Sequence, residues 1–357
     1  MNRTRLGYAI VSCLLLLASP LHAQEPVSPP VPDIAPFDGR DPSLAPAESA
    51  PLFPDTPASA VACPDNPLFA RYPPGMFGDL LVIEAVRRVA GGSFIEAAPP
   101  VAFLSSFKIA ENESPRPLDR VFVTGNYYNG VDRSLLASSG AAPNVYREML
   151  GFEKTFLQGD ASVGVRLPYF QLTGDPRLAE TRIGDVSVIL KFAFFNDRST
   201  GNLISGGVVL TAPTGPGLPL PGQSTVNPMF IQPWVGGIWN WKSLFVQNFT
   251  SVAVPTDARD VSIFFKSVAV GYWLYRTNDP SRIVSAIVPD AELHLNTPLN
   301  HRGTGSLPIG FPDTLDFTSG VYFFLHRAVF GIGVGAPLTG PKLSLIHISE
   351  PTRQAEI

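Results

Sequence analysis

The run ASVGVRLPY, residues 161–169, decides the fold. Ala161, Val163, Val165, Leu167 and Tyr169 fall on one face of an extended chain and Ser162, Gly164 and Arg166 on the other, the two-residue period of a β-strand. The stretch around 290 repeats the design. Ile287, Ala291, Leu293 and Leu295 alternate with Asp290, Glu292, His294 and Asn296, so one side is oily and the other wet. Twelve such runs predict strands over 101–110, 119–129, 144–156, 159–172, 183–195, 202–213, 227–241, 243–255, 260–276, 282–297, 314–326 and 327–338. Most are longer than the roughly 5 to 6 residues of globular strands and match the roughly 9 to 11 needed to cross a bilayer. Backbone groups in hydrocarbon must pair within a closed sheet, so the pattern implies a lipid-facing wall around a polar lumen.

Working outward, the connections alternate. Those at 158–160, 196–201, 241–243 and 326–327 are short, whereas 130–143, 215–227 and 297–313 are long and rich in Gly, Pro and polar residues. Antiparallel barrels put tight turns on one rim and long loops on the other. The first hairpin is FKIAENESPRPLDRVFVTGNYYNG, residues 107–130, in which Pro115 and Pro117 exclude both helix and continued ladder pairing. Its polar stretch, 111–119, reads as a tight turn on the short-turn, periplasmic rim, with Tyr127 and Tyr128 near the opposite interface. Tyr127, Tyr128, Tyr169, Phe170, Trp239, Trp241, Trp273 and Tyr275 lie near strand ends and suit interfacial girdles. In RAVFGIGVGAPL, residues 327–338, Gly331, Gly333 and Gly335 share a face and leave room for lumen or neighbouring backbone.

Composition agrees. Charged residues are 16% of the 357, against the roughly 25% of soluble domains, with 31 Gly and 37 Pro. No run after the N-terminus reaches the roughly 18 to 20 apolar residues of a membrane-spanning helix. A net charge of −4 without a basic cluster argues against nucleic acid as a partner.

Arg3 and Arg5, an apolar core over 6–17 and a small-residue site ending at Ala23 read as a signal peptide over residues 1–23. Cleavage there removes Cys13 and leaves Cys63 alone, without a disulfide partner. Residues 24–76, rich in Pro, Ala, Asp and Ser, form a disordered linker by composition. GDLLVIEAVRRVAGG follows, where Asp79 caps and Gly91-Gly92 stops one short helix within residues 77–92. The barrel then occupies 101–342.

Candidate sites are few. His294, His301 and His326 have no neighbour at metal-ligand spacing, and no GxSxG elbow is present. No catalytic residue, metal or cofactor is indicated. Polar residues inside strand runs, Arg166, Lys191, Lys266, Asp290, Glu292 and His294, are the candidate lumen-lining set, which would govern pore charge and selectivity.

The motifs KIAENESPRPLDRVF, NYYNG, GFEKTFLQGDASVGVRLP, GDVSVILKFAFF and SGGVVLTAPTG, between residues 104 and 341, resemble a porin-like outer-membrane barrel family of planctomycete-type bacteria. That family is similar to barrels described as phenol-degradation transport proteins. The resemblance implies fold and location, with no functional residues to carry over. The tail LSLIHISEPTRQAEI, residues 343–357, resembles translated sequencing-adapter sequence. Glu350, Pro351 and Arg353 in it interrupt any strand, so the closing strand is expected to be missing; because such barrels have even strand numbers, either fourteen is the native number or one of the twelve strand readings is wrong.

The expected fold is thus all-β, an antiparallel transmembrane β-barrel of about 12–14 strands with a Pro-rich N-terminal segment and one short helix. Its expected role is passive passage or binding of small solutes in the outer membrane. Outer-membrane lipid and the barrel-assembly machinery are the implied partners. A soluble secreted β-sandwich acting as a binding or structural module is the alternative, and a lipase-like outer-membrane enzyme with a Ser-His pair at the lipid-facing rim is a third.

Overall fold

The computed structural model describes residues 72–79, 86–88, 95–97, 108–129, 144–173, 180–215, 217, 223–279, 281–302, 309–310, 313–325, 328–339 and 344–354. The signal peptide and residues 24–71 of the expected linker lie outside them. In chain order the strands are β1 (Val86–Arg88), β2 (Ile95–Ala97), β3 (Arg120–Asn129), β4 (Asn144–Phe156), β5 (Ala161–Thr173), β6 (Glu180–Ile183), β7 (Val186–Asp197), β8 (Asn202–Ala212) and β9 (Phe230–Trp241). They continue with β10 (Leu244–Pro255), β11 (Ile263–Tyr272), β12 (Tyr275–Arg276), β13 (Val284–Pro298), β14 (Ile309–Gly310), β15 (Thr314–Leu325), β16 (Ala328–Thr339) and β17 (Ser344–Gln354).

Twelve of these form one antiparallel ring. From β3 the order runs β4, β5, β7, β8, β9, β10, β11, β13, β15, β16 and β17, and β17 pairs back onto β3. Each strand hydrogen-bonds to its neighbours in sequence, as in an up-and-down barrel, and the ring leaves no edge for backbone groups to stay unpaired. β6 and β12 extend the wall at its rims by pairing with β5 and β13. The fold is therefore a single closed sheet and not a two-sheet sandwich.

Two expectations are corrected at the seam. The first candidate strand, 101–110, is not part of the wall where it is described, since residues 108–110 form a turn. The closing strand is β17, within the tail that was expected to break any strand, and the ring of twelve strands falls within the expected 12–14. The expected interruption survives as a local defect: pairing with β3 jumps from Ser349 to Arg353, around Pro351, which has no N–H to donate. The helix expected within 77–92 is also corrected. Val86–Arg88, the described part of that stretch after Asp79, pairs with both Ile95–Ala97 and Ile309–Gly310. Inter-strand hydrogen bonds override the local helical reading in a segment rich in Val and Ile.

Alternation is clean along the wall. On β4, Val145, Arg147, Met149, Gly151 and Glu153 are buried, while Tyr146, Glu148, Leu150 and Phe152 are exposed. β5 and β13 follow the same rule, with Arg166 inside opposite Val165 and Leu167, and Asp290, Glu292, His294 and Asn296 inside opposite Ala291, Leu293 and Leu295. The outer face carries aromatics near both rims. Tyr127, Tyr146 and Tyr169 lie toward the long-loop rim, with Tyr127 and Tyr146 rings 4.7 Å apart, and Phe152, Phe156, Phe194, Trp239, Trp241 and Tyr272 lie toward the short-turn rim. Tyr146 and Phe156 are 10 residues apart on one strand. At about 3.3 Å per residue and a tilt near 40° that is roughly 25 Å along the barrel axis, the height of an apolar band. Of the aromatics expected in the girdles, Phe170 and Trp273 point inward instead and join the interior cluster of Phe77, Phe245, Tyr322 and Phe324.

Lys266 is on the outer face, correcting its expected lumenal place. It alternates with buried Phe265 and Ser267 and donates to Thr250 Oγ1 at 2.8 Å. A charge on the lipid side costs about 2–4 kcal/mol at mid-membrane and less near an interface. Lys266→Leu should therefore be neutral or stabilising by up to about 2 kcal/mol. Urea unfolding in lipid vesicles checks this, and a marked loss of stability would put the side chain in the lumen.

Candidate functional site: a hairpin inside the lumen

The interior is occupied by the chain itself. Residues 72–79 and 108–118 are two legs that lie inside the ring, with Met76, Phe77, Asp79, Lys108, Ile109, Glu111, Asn112, Glu113 and Arg116 all buried. The legs meet through Met76 N–H donating to Glu113 O (2.8 Å) and Asn112 N–H donating to Phe77 O (3.3 Å). Asn112 adopts positive φ (47°), the left-handed conformation that Asn tolerates better than most residues. The polar stretch 111–119 is thus not a rim turn between wall strands: most of it is lumenal, and it reaches the wall only at β3. Pro115 and Pro117 keep it out of the ladder, as expected, and buried charges draw it inward.

The ends of the hairpin locate it along the barrel. At the short-turn rim, Arg116 donates to Asn196 Oδ1 (2.8 Å) and Gly201 O (2.7 Å), and its guanidinium lies 4.0 Å from the Tyr72 ring. Toward the long-loop side, Asp79 accepts from Lys108 Nζ and from Asn296 Nδ2 (2.6 Å), and Asn296 pairs with Thr314 at the start of β15. Residues 72–79 therefore run from the short-turn rim toward the long-loop side, and residues 108–118 run back to begin β3.

Charges hold the second leg. Glu113 accepts from Arg120, from Arg166 and from Lys191 Nζ (2.5 Å). Glu153 on β4 shares Arg120 (2.8 Å) and Lys191 (2.8 Å). Farther along, Glu111 takes a two-pronged contact from Arg147, 2.6 and 2.9 Å. Ions so buried persist only with paired, hydrogen-bonded partners, and the forked guanidinium suits a carboxylate. The first leg is held differently. Glu292 accepts the backbone N–H groups of Phe77 (2.6 Å) and Gly78 (2.8 Å), and the Phe77 ring stacks on Tyr322 with centroids 4.2 Å apart.

Glycines make room for that ring. A Cβ on Gly333 would lie 3.2 Å from Phe77, and one on Gly320 only 2.3 Å. On the other side, Met76, Ile109 and Ala110 pack against Ile189, Val209, Trp234, Phe249 and Ala269 of the wall.

Arg166, Lys191, Asp290, Glu292 and His294 are all buried on the lumenal face. The hairpin brings Arg166 and Lys191 together at Glu113, while Glu292 and His294 meet directly, Oε2 to Nε2 at 3.1 Å. His294 Nδ1 also lies 2.9 Å from Ser267 Oγ. This Ser-His-Glu contact is buried and faces the lumen, whereas a lipase reading places such a pair at the lipid-facing rim. Arg120, Arg147, Glu153, Glu111 and Glu113 were not among the expected site residues. The signal available was the dense charge of KIAENESPRPLDR, three residues of each sign across residues 108–120.

Glu113→Gln leaves three buried cations around one remaining acid, Glu153. Removing one partner from a buried ion pair costs about 3–5 kcal/mol. The loss should appear as faster trypsin cleavage after Lys108, buried in the same leg, while the barrel keeps its resistance to SDS at room temperature. Gly333→Leu should weaken the same hairpin by about 1–3 kcal/mol through overlap with Phe77. Its readout is a lower unfolding midpoint of the hairpin, followed by Trp or Cys probes beside Phe77.

No family model matches the chain, and none of the curated proteins matches it. Among solved structures it is similar to an outer membrane channel from Pseudomonas putida, 14% identical, covering 66% of this chain and 96% of that one with a TM-score of 0.46. It is also similar to the β domain of the Bordetella autotransporter BrkA, 10% identical over 67% of this chain and 100% of that one, TM-score 0.40. A porin variant from Rhodopseudomonas blastica is 9% identical over 66% and 99%, TM-score 0.23.

Proposed function

We propose that the protein is an outer-membrane channel of porin or transporter type, exported by its N-terminal signal, in which the lumenal hairpin is a resident plug. Small solutes pass through, or bind within, the polar lumen when the hairpin shifts. The observation that carries this reading is the mode of attachment. Among the described residues, the backbone bonds of the hairpin run within it, and it meets the wall through side chains: the ion pairs, Gln247 to Pro74 O (2.7 Å), Ser205 to Pro115 O (2.6 Å) and Thr318 to Gly78 O (3.1 Å). It can therefore move without breaking the strand ladder. The exposed apolar residues and two aromatic zones of the outer wall support a membrane location. The resemblance of residues 104–341 to planctomycete-type porin-like barrels agrees with it.

Planar-bilayer recording tests the proposal. The wild-type chain should give rare, small openings, and Glu113→Gln/Glu292→Gln, which loosens both legs, should give larger and more frequent ones. Correctly inserted barrels that pass no current in either form would overturn passage in favour of binding or scaffolding. Recovery of the native protein in the soluble periplasm without detergent would overturn the membrane location.

A further inference from the structure

The lumenal charges are sorted by side. Arg120, Arg147, Arg166 and Lys191 project inward from β3, β4, β5 and β7, four consecutive strands of the ring, with one acid among them, Glu153. Asp290, Glu292 and Asp316 project from β13 and β15, nearly across the ring. Neutral groups, Ser205, Gln232, Gln247, Ser251 and Ser267, line the strands between on one side. The cations are also staggered in height. By register Lys191 sits level with Ser162 and Thr155, Arg120 with Glu153, Arg166 with Gly151 and Arg147 with Asn126, a staircase from the short-turn rim toward the long loops.

Two carboxylates of the hairpin, two residues apart, rest on this staircase: Glu113 on Arg120, Arg166 and Lys191, and Glu111 on Arg147 with Asn126 Nδ2 at 3.4 Å. Stability alone is a poor reason for the arrangement. Replacing a buried ion pair with apolar side chains of similar volume is often neutral or stabilising. The same hairpin uses the apolar solution elsewhere, with Phe77 over Gly333 and Met76 against Trp234 and Phe249.

We propose that the staircase is a binding site for small organic dicarboxylates, and that Glu111 and Glu113 occupy it as a tethered stand-in for that solute. The fork of each guanidinium matches a planar carboxylate, and the two Glu groups mark two carboxylate positions, so a dianion satisfies both where a monoanion satisfies one. Solute and hairpin then compete for the same cations, and arrival of the solute frees the second leg. This deepens the channel reading, since the solute that binds is also the one that loosens the plug, but the binding step stands without conductance.

Succinate is the probe, with succinamide as its uncharged counterpart. The full-length Glu111→Gln/Glu113→Gln chain in detergent micelles should bind radiolabelled succinate saturably, at least tenfold more tightly than acetate. Adding Arg147→Gln or Arg166→Gln should weaken it at least tenfold. If that chain does not fold, the wild type supplies the readout: millimolar succinate, and not succinamide at equal concentration, should speed trypsin cleavage after Lys108 several-fold. Absence of saturable binding in the folded variant, or equal effects of succinate and succinamide on the wild type, would overturn the site. Binding without bilayer current would instead leave the site standing and remove passage.

Discussion

A ring of twelve strands encloses more space than its own inward side chains fill. Eight strands make a lumen that side chains can close, and sixteen or more leave an aqueous pore. Twelve lie between, and the remaining volume must hold water, solute or protein. Here it holds residues 72–79 and 108–118 of the same chain. Everything else about the interior follows from that filling: the glycines on β15 and β16 that accept Phe77, the Glu292 carboxylate that accepts two backbone amides, and the cations that accept Glu111 and Glu113.

The two legs are held by different physics. The first leg, 72–79, is anchored by an aromatic stack and by backbone donors to one carboxylate, contacts that depend on close fit. The second, 108–118, is anchored by charge in a medium of low polarity, where each ion depends on its partner remaining in place. Such anchoring resists small displacements strongly but is open to replacement by another anion. A backbone ladder to the wall would make the hairpin a permanent part of the sheet. Side-chain attachment makes it an occupant.

Arg166, Lys191, Asp290, Glu292 and His294 are buried on the inward face of β5, β7 and β13, strands that alternate sharply in polarity. Lys266 lies on the opposite, half-exposed face of its strand for a physical reason. On β11 both faces carry apolar groups, Phe265 and Ala269 inside and Phe264, Val268 and Val270 outside, so only the lysine's own polarity was available to assign its face. Phe170 and Trp273 are likewise ambiguous in sequence, since an aromatic near a strand end fits either an interface or an interior cluster. The helix expected within 77–92 failed because the partners of Val86–Arg88 include Ile309–Gly310, more than two hundred residues away.

From the sequence alone, period-two alternation and strand length determine an all-β wall with a wet inside and an oily outside, because those properties reside in neighbouring residues. The tertiary structure alone decides what fills the wall. Glu113 meets Lys191 across 78 positions and Glu292 meets Phe77 across 215, and no local pattern records either contact. The Pro-braced stretch 111–119 shows this most directly. Its sequence excludes helix and ladder, and only ring closure, which puts four cations within its reach, turns a loop into the core of the lumen.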